Sequence, residues 1–279
     1  MAGLIRLTHP FPSLLDGAAT AAFALLAGAS PGVAGRLGAA MIALQAAIGA
    51  LNDVVDVPLD AGRKPGKPIP RGLVSPEAAR LVAVGGAVLG IGLSLPSGPP
   101  ATAVALLILL VGGLYDLRFK GTPWSWLPFA VGIPLLPVYA WLGAAGTLPQ
   151  PFAFLVPAAG LAGAGLAIAN SLPDQERDRA GGSSSVADRL GRSAAWRLHA
   201  VLHAGVLAMA FLGLAWLGPT ALPPPVVAGM AIGGLLLGAG LALTASPSPR
   251  RRERGWELEA VSIGLLGTSW LAAVVLAPA

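Results

Sequence analysis

The chain has 279 residues, 55% of them hydrophobic and only 11% charged, with formal net charge +5 and mean hydropathy +0.73, whereas soluble domains carry about a quarter charged residues. This balance excludes an ordinary soluble domain and predicts an all-α integral membrane protein, read as one polytopic domain over residues 1–279. The absence of cysteine excludes disulfides, thiolate metal sites and a cysteine nucleophile.

Nine apolar spans are predicted, at 11–30, 34–51, 77–96, 100–117, 124–144, 151–172, 195–217, 223–245 and 256–277, each near the ~20 residues a helix needs to cross a bilayer. The first lacks a small-residue cleavage pattern and is expected to stay as a span. It carries Asp16. The second runs into "NDVVDVPLD", where Asp53, Asp56 and Asp60 stand at i, i+3 and i+7 and share a face if the helix continues. Asn52 lies four residues before Asp56. Pro58 predicts a bend or an end to regular helix there, which would let Asp60 project from irregular backbone.

A basic, proline-rich stretch follows, "GRKPGKPIPRG", with Arg63, Lys64, Lys67 and Arg71. After the fourth span, "YDLRFKG" offers Tyr115, Arg118 and Lys120, and after the sixth comes a second acidic island, "ANSLPDQERDRAGG". His199 and His203 stand at i, i+4 near the start of the seventh span. They lack a third ligand and an adjacent glutamate, so they are set aside as metal ligands. The run Arg250, Arg251, Arg252 and Arg254 precedes the ninth span, and Glu257 and Glu259 are expected to pair with it.

With the N-terminus inside, the loops 52–76, 115–123, 172–194 and 246–255 are cytoplasmic and hold nearly all the bases, leaving only Arg36 outside. This places both acidic motifs on the cytoplasmic side, of the plasma membrane if the chain is prokaryotic. The topology rule accounts for the net charge, so no nucleic-acid partner is needed. The glycine runs lack the strand-to-helix setting of a dinucleotide loop and predict close helix packing in lipid.

Asn170, Asp174 and Asp178 repeat the spacing of Asn52, Asp56 and Asp60, four spans later, as an internal duplication would place them. Carboxylate clusters at one membrane boundary repel each other unless cations intervene. Hard divalent ions with oxygen ligands meet that need, and Mg²⁺ takes one or two carboxylates while sharing its other positions with phosphates. The expected guest is a diphosphate. Lys67, Arg71, Arg118 and Lys120 suit phosphoryl oxygens, and Tyr115 is a hydroxyl donor. The plainer alternative makes these bases topology signals and the acids solvated helix ends. Boundary carboxylates repeated at matched spacing argue against it, being costly to place without a use.

The pair "NDVVDVPLD" and "NSLPDQERD" resembles the two aspartate-rich motifs of the UbiA superfamily of intramembrane prenyltransferases, N-D-x-x-D-x-x-x-D and D-x-x-x-D. "KPGKPIPRGLVSPEAA" looks like that family's continuation of the first motif, and "YDLRFK" like its Tyr and Lys motif. The resemblance implies a nine-helix bundle with a central cavity opening near the cytoplasmic side. In it Asp53, Asp56, Asp60, Asp174 and Asp178 would hold Mg²⁺, two ions bridging the diphosphate of an isoprenyl donor, helped by Asn52 and Asn170. The metals and bases would stabilise the departing diphosphate, and an acceptor would attack the allylic cation. The acceptor is expected to be an aromatic or quinone precursor, with a tetrapyrrole or glycerol-phosphate lipid as alternatives that the first motif's continuation resembles more. "DRAGGSSSVADRLG" departs from many members by placing Gly182 where they carry lysine.

Asp16 either orients the acceptor or takes its proton, or it is a carboxylate near the cytoplasmic end, hydrated or paired with Arg6. Trp124 and Trp126 read as interfacial anchors. Two further functions fit the pattern less well: a terpene cyclase, in which the cation closes on its own chain, and a transporter, whose acids belong at the midplane rather than at one boundary.

Overall fold

The computed structural model describes the backbone of residues 2–60, 67–218 and 221–276, and every side chain within it except those of Ala2, Leu59 and Asp60. Arg63 and Lys64 therefore lie outside the described residues, as does the side chain of Asp60. All regular structure among the described residues is helical, and proline supplies much of its punctuation. Six long helices begin with proline in their first turn, where the missing N–H has no intrahelical partner to lose. Ser30 and Ser75 cap two of them by accepting from Val33 N and Ala78 N.

The chain divides into two compact units, Met1–Leu117 with Leu135–Leu148, and Arg118–Pro134 with Pro149–Ala279. The first contains α1 (Ala2–Leu7), α2 (Pro10–Leu26), α3 (Pro31–Val55), α4 (Val57–Asp60), α5 (Pro76–Ser94) and α6 (Pro99–Leu114). It also contains the C-terminal part of α7 (Leu127–Ala145). Helix α3 is its centre, packed on α2 and α5. A Cβ on Gly38 would stand 2.8 Å from the backbone oxygen of Gly17 in α2, so only glycine permits that approach.

The second unit contains the N-terminal part of α7 with α8 (Phe152–Ser171), α9 (Gln175–Ala180), α10 (Val186–Leu190), α11 (Arg192–Leu217), α12 (Pro224–Thr244) and α13 (Pro249–Val275). Helices α12 and α13 are paired through glycine. A Cβ on Gly240 would stand 2.9 Å from Gly255 O, and one on Gly255 would stand 2.8 Å from Gly240 O.

Large apolar side chains point outward along these helices, Val88, Phe211, Trp216 and Leu235 among them. Exposed apolar surface of this extent suits a lipid surround. Eight helices among the described residues are long and apolar enough to cross a bilayer. The first expected span is represented by α2, a shorter apolar helix of 17 residues. It stops before position 30 because Gly28 takes a left-handed φ of 86° and the next helix starts at Pro31.

Candidate active site

The two acidic motifs share one local design. Helix α3 ends at Val55, Asp56 occupies the break, and the short α4 carries the backbone of Asp60. Helix α8 ends at Ser171, Asp174 sits at the N-cap of the short α9, and α9 carries Asp178. In both, the asparagine lies in the last turn of the long helix, the first repeated aspartate at the interruption and the second on the short helix. The bend or end expected at Pro58 takes the form of this break, and Asp60 lies on a short helix rather than on irregular backbone: Pro58 is the second residue of α4, where proline is tolerated. The interruption comes earlier, at Asp56, whose N–H still donates to Asn52 O at 2.9 Å.

In the first unit Asp53 and Asp56 are almost fully buried, at 2% and 3% exposure. The Lys67 ammonium bridges them, 3.0 Å from Asp53 Oδ1 and 2.8 Å from Asp56 Oδ2. The turn carrying Lys67 is held down by Ile69 and Val74, which pack with Leu7, Ala50 and Ala79. Arg71 ends that turn and is exposed. Asn52 Nδ2 donates to Asp116 Oδ1 at 2.6 Å. Asp116 is a third buried carboxylate and lies in a π-helical turn, Tyr115–Phe119, a distortion common at functional sites.

Spacing did not single out Asp116, because its link to motif 1 is a contact across 64 positions. The same holds for His9. Its Nε2 lies 3.3 Å from Asp53 Oδ1, and its ring rests where a Cβ on Gly49 would be. With φ 46° it is the non-glycine residue that takes a left-handed backbone among those described, a strain that docking on Asp53 helps to hold. Asp16 accepts from Gln45 Nε2 at 2.7 Å, and no ion pair with Arg6 is present among the described residues. Arg6 is exposed instead.

In the second unit Asp174 pairs with Arg177, and together with Asn170, Arg250 and Trp256 it lines a cavity of about 190 Å³. Arg252 holds this region from α13. Its guanidinium is fully buried, and its Nη2 donates to Glu176 Oε2 at 2.6 Å and to Pro173 O at 3.4 Å. The arginine run thus contributes a buried structural residue that the topology rule does not foresee. Gly121 O accepts from Ser184 N at 2.8 Å, which brings the segment with Arg118 and Lys120 to the loop after α9. That loop is tied by a capping box, Ser185 with Asp188. Gly182 within it has φ 88°, so the departure from lysine has a local cause: a side chain there is strained.

Of the two glutamates expected to pair with the arginine run, Glu257 does so, with Arg254 at 2.7 Å. Glu259 does not. It turns into the helix core and meets His199 Nε2 at 3.3 Å, a helix-to-helix contact beyond the reach of sequence spacing.

The buried oxygens around motif 1 suit a hard divalent cation: Asp53 and Asp56 lie beside one bridging lysine, Asp116 is joined to them through Asn52, and no soft ligand is among these groups. A digeranylgeranylglyceryl phosphate synthase from Methanopyrus kandleri is 32% identical over 206 residues, 72% of this chain and 74% of that protein. Two solved structures share the fold. A UbiA homolog from Aeropyrum pernix K1 superposes with TM-score 0.76 at 19% identity, covering 92% of this chain and 96% of its own. A UbiA homolog from Archaeoglobus fulgidus, bound to DMAPP and Mg²⁺, gives 0.71 at 18% identity over 99% and 100%. The model of the UbiA prenyltransferase family matches residues 15–277, and the chain belongs to that family.

Proposed function

We propose that this prenyltransferase moves an isoprenyl group, of the geranylgeranyl class, from its diphosphate to a hydroxyl of a glycerol-phosphate lipid. The observation carrying the reading is the pair of buried carboxylates Asp53 and Asp56 around Lys67, in a chain most of which aligns with a digeranylgeranylglyceryl phosphate synthase. The aromatic acceptor expected from the sequence has less support from that relative.

Asp53, Asp56 and Asp60, and in the second motif Asp174 and Asp178, are the residues to hold Mg²⁺. When bound, the ions neutralise charge on the departing diphosphate. Asn52 and Asn170 orient the acids, Asn52 through Asp116. Lys67, Arg71, Tyr115, Arg118 and Lys120 donate to phosphoryl oxygens. The allylic C–O bond breaks, the diphosphate takes the electron pair, and the acceptor oxygen forms the new bond to the allylic carbon. Asp16, fixed by Gln45, takes the proton that the hydroxyl releases. The acidic motifs face the cytoplasm in this reading, and the apolar helices receive the prenyl tail.

The test is diphosphate release by detergent-purified protein given geranyl, farnesyl or geranylgeranyl diphosphate, with and without Mg²⁺, and with glycerol-phosphate lipid, quinone-precursor or tetrapyrrole acceptors. Release that needs Mg²⁺ and the glycerol-phosphate lipid is expected. Release with an aromatic or tetrapyrrole acceptor alone overturns the acceptor assignment. Release without acceptor, yielding a hydrocarbon, makes the protein a cyclase.

A further inference from the structure

His199, His203 and Glu259 converge inside the second unit. The two histidines lie one turn apart on α11 and the glutamate on α13, and all three are fully buried. One ligand atom from each lies within 4.8 Å of the others. The third ligand that the sequence lacks is therefore supplied by another helix.

The chemistry of His203 and Glu259 points to a cation, while His199 Nδ1 is buried with no hydrogen-bond partner among the described residues. His203 Nδ1 lies 2.9 Å from the backbone oxygen of His199. Nδ1 must then carry the proton, which leaves Nε2 with its lone pair, the tautomer of a metal-ligating imidazole whose other nitrogen is anchored. That Nε2 is buried and has no hydrogen-bond partner among the described residues, and neither has Glu259 Oε2. A buried lone pair beside a buried carboxylate oxygen, both unsatisfied, is costly unless a positive charge joins them. His199 Nε2 and Glu259 Oε1 are 3.3 Å apart, close to the roughly 3.3–3.4 Å edge that bonds of ~2.0–2.1 Å give in a tetrahedral zinc shell. Thr244 Oγ1, from α12, lies 3.1 Å from Glu259 Oε1 and 3.4 Å from His199 Nε2, which adds a fourth residue to the same cluster.

The surrounding helices make room for these side chains. A Cβ on Gly165 of α8 would stand 2.7 Å from the His203 ring, and one on Gly240 of α12 would stand 2.5 Å from Glu259 Cγ. Ionisable groups inside a membrane helix are rare and usually serve a function.

We propose that His199, His203 and Glu259 bind a divalent transition-metal ion of the zinc class, which staples α11 to α13. Two imidazoles and one carboxylate suit zinc, whereas Mg²⁺ takes oxygen ligands in octahedral geometry. The site is thus chemically separate from the acidic motifs.

The test uses detergent-purified full-length protein, stripped with a chelator and loaded with Zn²⁺ or Co²⁺ in large excess of Mg²⁺. One zinc per chain after desalting is expected, with the visible absorption of four-coordinate Co²⁺. His203→Gln and Glu259→Gln should each lower retained zinc at least tenfold, and the double variant Asp56→Asn/Asp174→Asn should retain it. Zinc retention in the wild type no greater than in His203→Gln overturns the proposal, as does loss of zinc in the aspartate variant. Should the histidine and glutamate variants fail to fold, the wild type decides. Zinc loading should raise its Tm by roughly 5–10 °C over the stripped form, and an unchanged Tm leaves a bare His–Glu pair and overturns the metal site.

Discussion

Asp56 and Asp174 each stand where a long helix stops and a short one begins, so their carboxylates leave a helix end and not its flank. Placed there, a carboxylate reaches groups beyond its own helix, as Asp56 does with Lys67. Replacing either acid by its amide keeps the shape and removes the charge. Asp56→Asn and Asp174→Asn should each lower kcat for diphosphate release on the order of 100-fold or more, while size-exclusion profiles in detergent stay unchanged. Full activity in either variant sinks the assignment of these residues. Arg252 acts at the same scale by a different route, since it binds the Pro173 carbonyl and Glu176 on either side of Asp174. Arg252→Met takes a charged donor from the Pro173 carbonyl and Glu176 and should cost about 1–3 kcal/mol. The expected signs are a lower Tm and a KM for prenyl diphosphate raised more than kcat is lowered.

Helix pairs here touch at the backbone, and glycine sets how closely. In α12 and α13 the two glycines face each other's carbonyls, so Gly240→Val should force the pair apart and destabilise the fold by about 1–3 kcal/mol, read as a fall in Tm. A Tm within error of wild type shows that the pair can separate freely. Much at this scale was legible in the sequence: the span expected at 223–245 is the helix Pro224–Thr244, and that expected at 151–172 is Phe152–Ser171. Proline and glycine act through local backbone geometry, so their positions report helix ends directly. The pairing of Asn, Asp and Asp in two motifs was legible for the same reason, being a matter of spacing along one chain. Asp116 on Asn52, His9 on Asp53 and Glu259 on His199 were not. Each is a contact between helices distant in sequence, and neither period nor composition encodes which faces meet. Hydropathy hid Glu259 in particular, because a carboxylate beside an arginine run predicts a solvated ion pair.

For the whole molecule, the placement of bases in alternate loops predicts one orientation in the bilayer, with the acidic motifs inside. The lack of cysteine makes this simple to check. A single cysteine at Thr147, in the turn after α7, should react with a membrane-impermeant maleimide from outside intact cells. One at Ser183 should react only after the membrane is opened, and the reverse pattern inverts the topology. The lysine between Asp53 and Asp56 has a thermodynamic consequence for the protein as a whole. In the function proposed above, an ion entering motif 1 displaces that ammonium, which then turns to a phosphoryl oxygen. Mg²⁺ and prenyl diphosphate should therefore bind with positive coupling, each raising the other's affinity by the same factor. Lys67→Met should strengthen the binding of Mg²⁺ alone and reduce that factor toward one, a signature that titration calorimetry reads from either ligand.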